Sequence, residues 1–397
     1  MERSTVDTSH WEAAARLPAP PSSPADLPAA ADVVIVGGGF LGHWLAYFLT
    51  LAEPAPSVLV LERDELSLGA STRNAGFLSV GNVTEWAMEI RHQGLDEALH
   101  NLSARRQGQR IVLEHLGREL TTEPCGSADF DPITAETEAA AEQLNAHCAH
   151  HHLGIRFEQR TLELGGRRHR AWWNPADHAL DPVEVLLTLR RKAGSRGARF
   201  ATGCLVTAMG DGRVEVAAGV AGAGGAESAA ATGRRQVRYR HGYLCTNAFA
   251  RQLHPASPVL PARGQILVTA PCRPPTSPVL GFLNEGHDYF RPVGGRLLVG
   301  GGRHLRPEVE TTDELVVTAE IQAHLEALAR RLNGGAAVTV ERRWAGVMGL
   351  PSGSHGSIRR LEEPPMVDDR TEDLTGLGGW GVTLTPHLAR RRADALA

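Results

Sequence analysis

Lysine is almost missing from this chain: Lys192 is the only one, and arginine supplies the rest of the positive charge. A cation needed in a site must therefore be arginine or histidine. Cysteine is scarce too. Cys125, Cys148, Cys204, Cys245 and Cys272 are scattered, with no close pair. That spacing excludes a disulfide framework and a cysteine-built zinc site, and it suits a reducing compartment. No segment approaches the ~20 consecutive apolar residues of a membrane-spanning helix. The N-terminus, "MERSTVDTSH", carries acids and has no apolar core, so it does not read as a secretory signal. A cytoplasmic protein is expected. Charge of one sign is also lacking: the net charge is −4. The two basic runs, "GGRRHR" (165–170) and "ARRR" (389–392), are short and have no interleaved aromatics. They read as solvated faces, and no nucleic-acid partner is expected.

What is present suits a folded protein of two domains or one interleaved unit: 397 residues, 42% hydrophobic and 22% charged. Residues 1–31 read as an extended, proline-rich arm. Asp32–Val36 is an apolar strand, Leu41–Ala52 a helix and Ser57–Leu61 a second buried strand. Together they form a βαβ unit on a parallel sheet covered on both faces. From about Thr84 the apolar spacing turns helical, first as two long helices and then over "TAETEAAAEQLNAHCAHH". Asp181 and Pro182 read as N-cap and first residue of a further helix, followed by a strand from Ala198. The low-complexity stretch 216–233 reads as a flexible loop tip joining two strands. "GYLCTNAFA" is another buried strand followed by a turn, and 263–345 is strand-rich, with a Gly-Gly hairpin in "DYFRPVGGRLLVGG". The final stretch passes through glycines into a closing helix.

Between the first strand and its helix, Gly37, Gly39 and Gly42 form the pattern G-x-G-x-x-G. The first glycine permits the tight turn, the second lets a pyrophosphate approach the backbone, and the third lets helix and strand pack closely. The unpaired N–H groups at the helix start then meet the phosphate charge. Glu62, about twenty residues further on, ends the second strand, where a carboxylate accepts the hydroxyls of an adenosine ribose. These features define a dinucleotide site but leave open whether the ligand is a nicotinamide or a flavin. "GASTRNAGF" (69–77) is a small-residue loop through which backbone can approach a flat ligand.

The stretch "DVVIVGGGFLG…LVLE…GASTRNAGF" resembles the FAD-dependent oxidoreductases of the D-amino-acid oxidase superfamily. The resemblance continues through "LDPVEVLLTLRRKAGSRGARF", "YLCTNAFA", "LPARGQILVTAP", "YFRPVGGRLLVGGGR", "RWAGVMG" and "GLGGWGVTL", over about residues 32–388. It is nearest in flavour to γ-glutamylputrescine, glycine and sarcosine oxidases. The resemblance implies an α/β protein: a discontinuous Rossmann-like FAD-binding domain (32–83, 178–262 and 346–397) and an inserted α+β substrate-binding domain on a mainly antiparallel sheet (84–177 and 263–345). It implies FAD, with Gly37, Gly39, Gly42 and Glu62 on its ADP half. Arg63, Ser71, Arg73 and Asn74 would lie near the pyrophosphate and flavin, and the Val206 backbone near the adenine. Gly378, Gly379 and Gly381 would aim backbone N–H groups at the flavin pyrimidine edge. The activity implied is oxidation of a C–N bond of an amine or amino-acid-like substrate, by hydride transfer to flavin N5 with O2 as acceptor.

Tyr289, Arg291 and Arg303 are the substrate-side candidates, on the hairpin that faces the flavin in relatives. Strand alternation puts Tyr289 and Arg291 on one face. The family's carboxylate-clamping arginine is replaced by Val347 and Met348, "PSGSHGS" (351–357) departs from its usual Asp and Pro, and its oxygen-promoting lysine has no counterpart. No cysteine or histidine falls on a covalent-flavin position, so non-covalent FAD is expected. "HCAHHH" (147–152) has no second ligand cluster, so no metal is expected, and Trp172 and Trp173 read as packing. The alternatives are a catalytically altered FAD-binding protein, a dehydrogenase using another electron acceptor, a nicotinamide-dependent dehydrogenase or a flavin domain acting on a modified nucleoside. The sequence leaves the substrate and the oligomeric state open.

Overall fold

Burial of the first apolar strand on both faces organises one half of the molecule. In the computed structural model, which describes residues 8–15, 26–67, 69–218, 234–272, 279–352 and 364–396, Val33–Ile35 are wholly buried. The chain divides into two compact units. The first comprises Met1–Ala14, Arg73–Pro182 and Arg263–Val347, and the second Ala15–Thr72, Val183–Ala262 and Met348–Ala397.

The second unit is built on a sheet with the order Met366–Asp368, Thr371–Asp373, Arg234–Leu244, Ala30–Val36, Val58–Leu61, Arg199–Ala201. Ala30–Val36 pairs in parallel with both Arg234–Leu244 and Val58–Leu61, as a βαβ connection requires. The connecting helix is Phe40–Leu49, which starts and ends close to the limits its sequence predicts. Every residue of that helix is buried. It packs against the closing helix Gly381–Leu396, where the Arg390 guanidinium lies 5.4 Å from the Phe48 ring centre. A hairpin of Cys204–Gly210 and Arg213–Ala218 joins the same sheet, antiparallel to Arg234–Leu244. Of the stretch 216–233 expected as a loop tip, residues 216–218 belong to the strand Arg213–Ala218 and 219–233 lie outside the described residues.

The first unit carries an eight-stranded sheet in the order Val340–Pro351, Val259–Thr269, Arg296–Gly301, Asp288–Val293, Leu280–Leu283, Ser127–Asp129, Arg167–Asn174, Glu158–Leu164. Its hairpins are antiparallel, and Leu280–Leu283 runs parallel to Ser127–Asp129. The Gly294–Gly295 turn has positive φ at both glycines, the conformation a two-residue hairpin turn demands. Helices Val83–Gln93, Leu95–Leu116 and Ala135–His150 stand where helical spacing places them. Trp172 is buried among them and Trp173 lies partly buried on the sheet core, so both serve packing.

Two expectations need correction. The N-terminal arm is not extended throughout, because His10–Ala14 is helical. The strand-rich region also contains a fourteen-residue helix, Ala319–Leu332, whose Ile321, Leu325, Leu328 and Leu332 seal one side of the sheet core.

Candidate cofactor site

The glycine turn in the second unit has no room for side chains. Gly37 has φ +109°, and a Cβ there would stand 2.6 Å from the Cys245 carbonyl oxygen. A Cβ on Gly42 would stand 2.1 Å from the Gly37 carbonyl oxygen, so this glycine sets how closely helix and strand approach. Gly39 is the N-cap of helix Phe40–Leu49 and contributes no side-chain cap. The helix start is met instead by Ser71, whose Oγ accepts the Phe40 N–H at 2.9 Å. Ser71 is carried by a short helix, Ala70–Arg73, within the stretch read as a loop.

Glu62 closes on the same turn. Its Oε2 accepts the Gly38 N–H at 2.7 Å and its Oε1 the Asp64 N–H at 3.1 Å. Burial pushes its carboxyl above the usual carboxylate range, and the two N–H donors oppose that shift. Arg63 stacks 4.1 Å above the Phe249 ring and pairs with Asp64 at 3.3 Å. Val206 lies in the strand Cys204–Gly210, opposite Val216, with its side chain in the apolar core of the sheet.

The C-terminal glycines are held by a residue far away in sequence. The Asn247 side-chain oxygen accepts the N–H groups of Gly376 (3.1 Å) and Leu377 (3.3 Å). Gly378, at φ +57°, donates its N–H to the Gly349 carbonyl at 2.9 Å. Gly379 faces Met348, and Gly381 opens helix Gly381–Leu396 at a point where a Cβ would meet no atom within 4 Å among the described residues. The buried Asp373 carboxylate anchors the start of this turn by accepting the Thr375 N–H at 3.1 Å, and it meets His254 Nδ1 at 2.8 Å.

Two further groups at the turn escape sequence reasoning. His43 is fully buried, with Nδ1 3.0 Å from the Gly39 carbonyl, Nε2 3.3 Å from Arg190 Nε and its ring stacked on Phe200. These contacts suit a neutral ring that donates from Nδ1 and accepts at Nε2. Burial and the Arg190 charge push its pKa down to about 3. The Thr246 hydroxyl is buried with no hydrogen-bond partner among the described residues, and its backbone nitrogen lies 3.2 Å from a Cβ on Gly37. A cradle without side chains, a carboxylate beside it and an unsatisfied hydroxyl fit the phosphate and ribose of a dinucleotide.

Arg73, Asn74, Tyr289, Arg291 and Arg303 belong to the first unit. Arg73 Nη1 donates to the Ala345 carbonyl at 2.9 Å. Asn74 Oδ1 accepts the Gly76 N–H at 2.8 Å. Tyr289 and Arg291 both reach the segment 75–77, as strand alternation predicts. The Tyr289 ring packs edge-on to Phe77 at 5.8 Å, whereas Arg291 Nη1 donates to the carbonyls of Ala75 (3.3 Å), Gly76 (3.1 Å) and Leu180 (3.0 Å). Arg291 is thus spent on backbone. Arg303, half-buried on a single 3-10 turn, makes no guanidinium hydrogen bond among the described residues. The oxygen-promoting role has no lysine candidate here: Lys192 lies 5.9 Å from the Tyr47 ring on helix Pro182–Gly194.

Parallel core strands with this turn and this glycine-rich C-terminus fit a dinucleotide-binding unit. The chain belongs to the FAD-dependent oxidoreductase family DAO, which it matches over residues 32–395, and its cofactor is FAD. It is 28% identical over 284 residues to the bifunctional protein ThiO/ThiG of Synechocystis sp., covering 68% of this chain and 38% of that protein. The chain therefore spans well under half of that relative. Among solved structures it resembles L-proline dehydrogenase from P. horikoshii (TM-score 0.71, 19% identity, 94% of both chains). It also resembles iminodiacetate oxidase from Chelativorans sp. BNC1 (TM-score 0.70, 20% identity, 92% and 95%) and glycine oxidase from Geobacillus kaustophilus (TM-score 0.68, 17% identity, 92% and 94%). At these identities the likeness establishes the fold.

Proposed function

We propose that the chain oxidises the C–N bond of an amine or amino-acid-like substrate. The observation that carries this reading is the side-chain-free turn Gly37–Gly39 closing on the Glu62 carboxylate, in a chain of the FAD-dependent family. Bound FAD supplies a two-electron acceptor at N5. The substrate gives up a hydride from the carbon beside nitrogen and a proton from the nitrogen. Water then converts the imine to a carbonyl compound and releases the amine or ammonia. With O2 as final acceptor, two electrons and two protons leave as H2O2.

In this reading the second unit would hold FAD: Glu62 would take the ribose, Ser71 and Thr246 would meet the phosphates, and the Asn247-held glycines would meet the pyrimidine edge. The first unit supplies the substrate side. The solved neighbours are named for proline, iminodiacetate and glycine, each an amine bearing carboxylate. In this chain the expected clamp positions are Val347, 1% exposed in its strand, and Met348, and Arg291 is committed to three carbonyls. The available groups are therefore the Arg303 guanidinium and the Tyr289 hydroxyl, which would pair with and orient a substrate without forming a bond to it.

Anaerobic mixing of the FAD-loaded protein with a panel of amines and amino acids tests the reading. Loss of the flavin's visible absorption with at least one compound is expected, and no loss with any amine would overturn it. Return of the colour on adding air identifies an oxidase. A colour that returns only with another acceptor identifies a dehydrogenase.

A further inference from the structure

Five successive backbone N–H groups at the C-terminal glycine turn, from Leu374 to Gly378, are each taken up by an acceptor within the second unit. The Leu244 carbonyl accepts that of Leu374 at 3.0 Å, and the Asp373 carboxylate that of Thr375 at 3.1 Å. The Asn247 side-chain oxygen alone takes two of the five, Gly376 and Leu377, and the Gly349 carbonyl takes Gly378. A second tie comes from just beyond the 3-10 turn Asn247–Gln252, where His254 Nδ1 lies 2.8 Å from Asp373 Oδ2.

Asn247 has φ +47°, the left-handed region that residues with a side chain seldom adopt. Asparagine bears that conformation better than most, because its short amide hydrogen-bonds to nearby backbone. Such an outlier persists only where its surroundings over-determine it. Here the two N–H bonds to Oδ1 do so, and Gly349 leaves room for them, since a Cβ there would stand 2.5 Å from Oδ1. On its other side Asn247 follows directly on Thr246. The Cys245 N–H donates to the Val36 carbonyl at 2.8 Å, which sets the Thr246 nitrogen 3.2 Å from a Cβ on Gly37. The Thr246 hydroxyl there is buried and has no partner among the described residues.

We propose that Asn247 is a positioning residue for the cofactor turn: its side chain ties the C-terminal glycine turn to the residue after Thr246, and so holds the Thr246 hydroxyl beside Gly37 before FAD binds. This rests on the reading that the turn Gly37–Gly39 and Thr246 receive the phosphates. Every group in this chain of contacts belongs to the second unit. A hydroxyl placed in advance does not have to be ordered when the ligand arrives. Without the Asn247 oxygen nothing holds the left-handed step. Thr246 then samples other placements while the sheet stays intact.

Variants of the full-length chain test the proposal. Asn247→Gly accepts the left-handed φ without strain and removes the acceptor. In the FAD-free protein, hydrogen exchange at the amides of Gly376 and Leu377 is expected to speed up about tenfold, with the strands Cys204–Gly210 and Arg213–Ala218 unchanged. The dissociation constant for FAD is expected to rise about tenfold. A similar rise is expected in Thr246→Val, which keeps the shape and removes the hydroxyl. Because Asn247 acts through Thr246, the double variant is expected to lose about tenfold, against the roughly hundredfold of independent effects. Losses that multiply to about a hundredfold overturn the proposal. Unchanged exchange or unaltered FAD affinity in Asn247→Gly overturns it too. If Asn247→Gly fails to fold, Asn247→Ala carries the same measurements. Failure of the unaltered chain to bind FAD, or full affinity in Thr246→Val, would instead overturn the reading beneath the proposal, and both are seen before Asn247 is altered.

Discussion

His43 lies under the glycine turn with one ring nitrogen on the Gly39 carbonyl and the other beside Arg190. Its folded pKa, about 3, is below the ordinary 6.5. As pH falls from 7 to 5 the unfolded chain therefore takes up a proton that the folded chain refuses, and stability drops by about 2 kcal/mol from this group alone. The contribution is fully present above 6.5 and is lost on the way down to about 3. Urea unfolding at the two pH values is expected to show a drop smaller by about that amount in His43→Gln. An identical drop in the variant would mean that the ring protonates without unfolding the turn. At this scale Gly37 and Gly42 were legible as turn glycines, because a positive φ at the first and a 2.1 Å approach at the second leave glycine almost no substitutes, and Glu62 was legible from its place at the end of the second strand. His43 was not legible, since a histidine in a helix carries no spacing signal. Asn247 was not legible either, because its partners Gly376 and Leu377 are far away in the sequence and no local pattern joins them.

The strand Val259–Thr269 is tied to the segment after the 3-10 turn by a buried ion pair. Arg263 Nε and Nη2 meet the two oxygens of Glu310 at 2.8 and 3.0 Å, with side chains 2% and 1% exposed. Gln265 donates to the same carboxylate at 2.9 Å and to Thr318 at 2.9 Å, which places the start of helix Ala319–Leu332. Removing one buried partner strands the other charge, so Arg263→Met is expected to cost about 3–5 kcal/mol in chemical unfolding. The double variant Arg263→Met/Glu310→Leu should recover most of that loss; a double variant as weak as the single one would refute the ion-pair account. Elements with a strong period were legible to within a few residues, as Phe40–Leu49 and Ala135–His150 illustrate. Helix Ala319–Leu332 carried its own signal, with apolar residues at helical spacing and Arg330 and Arg331 in its last turn. The strand-rich texture around it hid that signal. The Ser9–Glu12 capping box was likewise written in the sequence but overshadowed by the prolines that follow.

At the scale of the whole chain, two units are each assembled from separated stretches, and residues 32–395 match one family. The interleaving was visible as repeated changes in sequence texture. The division of labour within 69–77 was not, because Ser71 and Arg73 are neighbours in sequence yet belong to different units. No local pattern marks such a boundary, since it is set by which sheet each short segment packs on. The glycine turn and Glu62, by contrast, lie in one unit and are joined by the Gly38 N–H on the Glu62 carboxylate. Calorimetric titration of FAD into the cofactor-free chain and into Glu62→Ala tests that site most directly. One FAD per unaltered chain is expected, with affinity reduced about tenfold or more when the buried carboxylate is removed. Equal affinity in the two proteins would contradict the assignment of Glu62 to the cofactor ribose.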